Sequence, residues 1–93
     1  IIEKYSYDAF YHTELEDVLR AHAREYVIIC GCTIPICVNE TVSGAFEREF
    51  KVVLAADASS SLDESFRAFT LRLVSLKYGR VATNAEILQE LGM

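Results

Sequence analysis

Apolar positions fall into a regular series of helix and strand patterns along the chain. Leu15, Val18, Leu19 and His22 recur at i, i+3, i+4, i+7 and predict a helix over about 14–24, opened by the capping box Thr13-Glu14-Leu15-Glu16. Tyr26-Val27-Ile28-Ile29-Cys30-Gly31 is a continuous apolar run ending in glycine, which predicts a buried strand. Val38, Val42, Ala45 and Phe46 share one helical face, with Asn39, Glu40, Ser43 and Glu47 opposite. Lys51 to Asp57 reads as a second buried strand. Ser61-Leu62-Asp63-Glu64 is a second capping box before a long helix with Leu62, Phe66, Phe69, Leu73 and Leu76 in one stripe. Such a stripe is either the core face or a seam for a partner, and the core face is the expectation. Tyr78-Gly79 ends that helix and Arg80-Val81-Ala82 is a third short strand. Thr83-Asn84-Ala85-Glu86 is a third box, with Ile87, Leu88 and Leu91 behind it.

With Ile1-Ile2 as the end of a further strand, strands and helices alternate throughout. Alternation with buried strands predicts an α/β fold, a mostly parallel sheet between helices on both faces, three layers deep and Rossmann-like. There is no linker, repeat or low-complexity stretch, and the single proline, Pro35, falls in the loop after Gly31.

Composition narrows the function. Of 93 residues, 52% are hydrophobic and 25% charged, which is globular, and the length fits one domain or part of one. Nine basic against fourteen acidic residues give a net charge of −5, which disfavours nucleic acid. No apolar run reaches the length of a membrane span, and no secretory leader is visible. Cys30, Cys32 and Cys37 make no disulfide framework and point to a reducing cytoplasm. As metal ligands they lack a fourth partner, since His12 and His22 reach them only by folding back, so no metal is expected. Cys30 and Cys32 read as small buried hydrophobes.

In open α/β sheets, sites form at the carboxyl ends of strands. The segments running into Lys4, into Gly31-Cys32 and into Asp57 are expected to end there. Gly31-Cys32-Thr33-Ile34-Pro35-Ile36-Cys37-Val38 combines a strand, a tight loop and the start of a helix. Pro35 and Ile36 have no side-chain acceptor, so this helix start is expected to keep free N–H groups able to hold a thiolate or an oxyanion. A thiol in that place is a nucleophile candidate. Spacing alone leaves Cys37 equally open to being a buried structural thiol. Lys4, near Tyr5, Tyr7 and Phe10, is able to stabilise negative charge, although alone it reads as an ordinary surface lysine.

Taken together, these two segments make the pattern recognisable. Lys4-Tyr5-Ser6-Tyr7-Asp8-Ala9-Phe10-Tyr11-His12-Thr13-Glu14-Leu15 resembles the K-x-x-Y-S-A-F-x-x-T-x-L segment of the isochorismatase-like cysteine hydrolase superfamily. Gly31 to Val38 resembles its G-V-A-T-x-x-C-V segment, and Tyr78-Gly79-Arg80-Val81-Ala82-Thr83 its late F-G-x-V-x-T stretch in ureidoacrylate-hydrolase-like members. The resemblance implies a three-layer α/β/α fold and hydrolysis of a C–N bond in a small amide or ureido (N-carbamoyl) substrate, without a cofactor. It implies Cys37 as nucleophile, Lys4 as charge support, a cis Cys32–Thr33 peptide, and the Thr33 and Cys37 N–H groups as oxyanion hole. Tyr7, Phe10 and Asp8 would line the substrate, Asp8 standing where serine is usual.

The resemblance puts the superfamily's catalytic aspartate at the end of its first strand, well upstream of the lysine. Residues 1–93 therefore read as the C-terminal half of one domain. The expected partners are the N-terminal half and further copies in a homo-oligomer. Metal ligands of nicotinamidase-type members would also lie in that other half. Asp57 and His12 are the in-chain candidates to replace the aspartate. The rival readings are an isochorismatase proper, which lacks the cysteine, a nicotinamidase-type amidase, and a non-catalytic interaction subunit assembling through the 62–77 helix.

Overall fold

The computed structural model describes residues 1–93. In chain order the elements are α1 (Leu15–Ala21), β1 (Tyr26–Cys32), one wide π-type turn (Ile34–Val38) running directly into α2 (Asn39–Glu47), β2 (Lys51–Ser60), α3 (Glu64–Lys77), β3 (Arg80–Ala82) and α4 (Asn84–Glu90). The sheet order is β1-β2-β3 and both pairings are parallel. Val27 pairs with Val52 and Ile29 with Leu54. The register then shifts, so that Gly31 meets Ser59 and Cys32 meets Ser60. Gly31 lies at this irregularity with φ +126°, a conformation that glycine supplies without a Cβ clash.

The period of two along β2 builds the layers. Val52 and Leu54 point to one face and join Val38, Val42 and Ala45 around α2, with Val74 of α3, Phe10 and Phe50. Ala55 points to the other face and meets Ala82 and Ile87 of α4, with Val53 beside them. The arrangement is thus helix, parallel sheet, helix, as expected. Leu54, Val42 and Val74 are fully buried. Each such side chain contributes roughly 1.5–3 kcal/mol.

Several local expectations are corrected. Ile1-Ile2 is not the end of a strand, and Lys4 does not follow one. An extended segment becomes a strand only with a ladder partner, and residues 1–4 have none. β1 is not buried: it alternates exposed and half-buried positions, with Tyr26, Ile28, Cys30 and Cys32 on the exposed side. Cys30 and Cys32 are therefore not buried hydrophobes. No strand flanks β1 on its outer edge, and α4 covers only the β2–β3 part of that face.

Of the three capping boxes only the last forms. Thr83 Oγ1 accepts from the Glu86 N–H at 3.1 Å and Glu86 returns a bond to the Thr83 N–H at 2.9 Å. Thr13 donates its hydroxyl to the Ala9 carbonyl and accepts the Leu15 N–H at 3.3 Å rather than that of Glu16. α3 is capped by Asp63, which accepts from the Ser65 N–H at 2.8 Å, so Ser61 is too early and Leu62 precedes the helix. The stripe on α3 is also not the core face. Thr70 and Val74 are buried and Leu71 half-buried, whereas Phe66, Phe69 and Leu76 are 59%, 68% and 65% exposed.

Candidate active site

At the carboxyl end of β1 the chain passes through a cis peptide between Cys32 and Thr33. The wide turn that follows carries Cys37. Thr33 is its cap residue, extended, and its side chain makes no capping bond. The Thr33 carbonyl accepts from the Ile36 N–H at 3.1 Å and from the Val38 N–H at 3.2 Å, passing over Cys37. Two of the N–H groups expected to be free are thus satisfied, because the turn is wide enough to close a five-residue hydrogen bond. Pro35 occupies an early position of the turn, where a missing N–H costs nothing. The Thr33 N–H itself meets no acceptor of the chain.

The second wall comes from residues 4–10, an irregular segment clamped to α2. Ala9 N–H donates to Thr41 Oγ1 at 3.0 Å, and the Thr41 hydroxyl donates to the Tyr7 carbonyl at 3.4 Å. Thr41 lies four residues after Cys37, and Gly44 three further on, so the three share one helical face. Next to Thr41, Asp8 lies directly over Gly44. The clamp brings Lys4 and Tyr7 to Cys37: with Cys32 and Thr41 they line a hollow of about 210 Å³ at the end of β1. A wider hollow of about 510 Å³ is bounded by Lys4, Tyr5, Ser6, Tyr7 and Cys37. Lys4 Nζ donates to the Ser6 carbonyl at 2.8 Å and is otherwise in solvent.

Two of the expected lining residues are elsewhere. Phe10 is 4% exposed and stacks on Phe50 at 5.8 Å, with the Arg48 guanidinium 4.9 Å from its ring centre. It belongs to the core because its apolar ring fits between α2 and the start of β2. The Asp8 carboxylate faces Gly44 and accepts the Phe10 N–H at 2.8 Å, so it is used locally. Tyr7 does line the hollow. Thr41 was not singled out as a site residue by the sequence. Its signal was the i, i+4 spacing from Cys37.

The in-chain substitutes for the aspartate are also placed elsewhere. Asp57 Oδ2 accepts the Asn84 N–H at 2.9 Å and so serves the start of α4. His12 sits edge-on to Tyr11 at 4.2 Å, and beside Glu3, Thr13 and Glu14 rather than Cys37. No group of three His, Cys, Asp or Glu side chains converges as a metal site would require.

A parallel sheet between helices, with Cys37 on the turn that follows β1, defines an α/β protein. The isochorismatase domain model matches residues 1–86, and the chain belongs to that family. Enterobactin synthase component B of Escherichia coli K12 is 31% identical over 88 residues, covering 95% of this chain and 31% of the relative. The ureidoacrylate amidohydrolase RutB of Methylobacterium radiotolerans is 29% identical over 94 residues, covering 100% of this chain and 36% of the relative. Among solved structures, a cysteine hydrolase from Pseudomonas syringae pv. phaseolicola superposes with TM-score 0.97 at 27% identity, over 99% of this chain and 48% of that one. The chain spans between about a third and a half of the length of these relatives.

Proposed function

We propose that this chain supplies the nucleophile side of a cysteine hydrolase that cleaves a C–N bond in a small amide or ureido (N-carbamoyl) substrate. The observation that carries the reading is the meeting of Lys4, Tyr7 and Cys37 around one hollow at the carboxyl end of β1. The names of two similar proteins, a ureidoacrylate amidohydrolase and a cysteine hydrolase, support it.

In this mechanism a base removes the Cys37 proton and the thiolate attacks the substrate carbonyl carbon. The oxyanion is held by the Thr33 and Cys37 N–H groups, with the Lys4 ammonium adding positive charge. The C–N bond breaks, ammonia or an amine takes the proton, and a thioester remains on Cys37. Water then releases the acid and restores the thiol. No carboxylate of residues 1–93 lines the hollow, so the base is assigned to a segment outside them.

That segment is placed at the free edge of β1. Tyr26 and Ile28 are 61% and 47% exposed on a strand with the composition of a sheet interior. Beside them an apolar cleft of about 320 Å³ runs along the strand, bounded by Phe10, Leu15, Leu19 and Val27. In this reading residues 1–93 are the C-terminal half of a domain whose N-terminal half extends the sheet beyond β1. No helix is long and apolar enough to cross a membrane, and a cytoplasmic enzyme is proposed.

Acid quenching during turnover of ureido acids and small amides, followed by peptide mass spectrometry, tests the reading. An acyl mass on the Cys37 peptide is expected. An acyl adduct on another residue would overturn it. Lys4→Ala is expected to lower kcat by about 10²-fold or more if the ammonium faces developing charge.

A further inference from the structure

We propose that Cys32 is the redox partner of Cys37: hydrogen peroxide oxidises the Cys37 thiol, and Cys32 then closes a reversible disulfide with it. Three free thiols, Cys30, Cys32 and Cys37, line the hollow of about 210 Å³ at the end of β1. Cys37 is half-buried and the other two are exposed. A solvent-accessible thiol with a second thiol beside it is oxidised to a disulfide, which shields it from the irreversible higher oxides of sulfur.

Position in the fold selects Cys32 over Cys30. Cys32 is the last residue of β1, next to the turn that carries Cys37. That turn folds the chain back over five residues, since the Val38 N–H reaches the Thr33 carbonyl at 3.2 Å. Cys32 and Cys37 are also five apart, one step earlier in the chain. Cys30 lies two residues further back along the strand, about 7 Å from Cys32. Position 32 is valine in the superfamily segment that Gly31 to Val38 resembles, so the second thiol belongs to this chain rather than to that pattern. Exposed disulfides are the labile ones, which suits a bond that forms and is undone rather than a permanent staple.

The chemistry has two steps. The Cys37 thiolate attacks one peroxide oxygen and the O–O bond breaks. Sulfur gives up two electrons and becomes a sulfenic acid, and the peroxide is reduced to hydroxide, which is protonated to water. The Cys32 thiolate sulfur then attacks the Cys37 sulfur. An S–S bond forms, the S–O bond breaks, and the departing hydroxide takes up the proton that Cys32 gave up, making a second water. Two small thiols reverse the bond by exchange and leave as their own disulfide. While the bond lasts Cys37 has no thiolate, so in the hydrolase reading turnover stops. The pairing itself does not rest on that reading.

Differential alkylation of the full chain tests the proposal. Hydrogen peroxide is added at a few equivalents, free thiols are blocked with iodoacetamide, and thiols recovered with dithiothreitol are labelled with N-ethylmaleimide. Fragment mass spectrometry of the tryptic peptide 25–48, which holds all three cysteines, reads each position. N-ethylmaleimide is expected on Cys32 and Cys37 and iodoacetamide on Cys30, with no cross-link between chains on a non-reducing gel. In Cys32→Ser the sulfenic acid has no partner. After prolonged peroxide, dithiothreitol should then recover the Cys37 thiol about 10-fold less than in the wild type, with sulfinic acid in its place. Cys30→Ser should behave as the wild type. Pairing of Cys37 with Cys30, three thiols that all keep iodoacetamide, cross-linked chains, or undiminished recovery in Cys32→Ser would each overturn the proposal. Should Cys32→Ser not fold, the wild-type labelling decides alone. Because the labels read sulfur and not turnover, an inactive protein that forms the Cys32–Cys37 bond counts against the hydrolase reading only, and an active one that does not form it counts against this proposal only.

Discussion

The Asp8 carboxylate lies directly over Gly44: a Cβ on that glycine would stand 2.6 Å from Asp8 Oδ1 and 2.7 Å from Oδ2. This contact, with the Thr41 bonds to Ala9 and Tyr7, ties the segment carrying Lys4 to the helix that follows Cys37. Gly44 is thus required by close approach rather than by an unusual backbone angle. Asp8 has little freedom to retreat, because it also accepts the Phe10 N–H. Gly44→Ala is expected to cost about 1–3 kcal/mol in urea unfolding. The same change in an Asp8→Ala background should cost less. Equal costs in both backgrounds would mean that the carboxylate is not what fills the space.

Thr83 and Ser61 head similar sequence motifs but only Thr83 caps. Thr83→Ala is expected to lower stability by about 1 kcal/mol and Ser61→Ala by under about 0.5 kcal/mol. Thermal melting of the two variants distinguishes the formed box from the unformed one.

The capping carboxylates also set an acid dependence. Bonds from the Thr83 backbone N–H and then its hydroxyl hold Glu86 below its ordinary value of 4.5, and the Ser65 hydroxyl followed by its N–H holds Asp63 below 3.8. A carboxyl whose folded value is depressed stabilises the fold fully above its unfolded value. That contribution is lost as pH falls through the lower, folded value. Melting temperature should therefore drop as pH falls below about 4.5, and the drop should be shallower in Glu86→Gln. An identical slope would show that Glu86 is not linked to folding.

Much of this architecture is legible in the chain. The strands at 26, 51 and 80 begin where the apolar runs begin, and the 83–86 box opens the last helix. Hidden from the pattern is which of two available partners a group takes. Thr13 bonds the Ala9 carbonyl and the Leu15 N–H rather than the Glu16 N–H that a capping box would use, and α3 buries Thr70 while exposing Phe69. A stripe of apolar residues does not say which side of the helix meets the sheet. The Lys4–Cys37 meeting was suggested by two motifs far apart in sequence. The clamp beside it, the Thr41 hydroxyl on the Tyr7 and Ala9 backbone and Gly44 under Asp8, rests on polar contacts and an absent side chain, which leave no trace in hydrophobic periodicity.

The exposed face of β1 gives a direct test of the proposed second half. Ile28 is 47% exposed, so on residues 1–93 alone Ile28→Asp would be a mild surface change, within about 0.5 kcal/mol. In a protein carrying the proposed N-terminal half the same change should cost about 2 kcal/mol or more, since it buries a charge. A mild effect there would place the second half away from this face.

The central claim is that the Cys37 sulfur performs the attack. Ammonia release from a ureido acid, followed in parallel for the wild type and Cys37→Ala with matched melting temperatures, measures this most directly. Loss of turnover to the uncatalysed background is the predicted result. Undiminished ammonia release by Cys37→Ala would contradict the account.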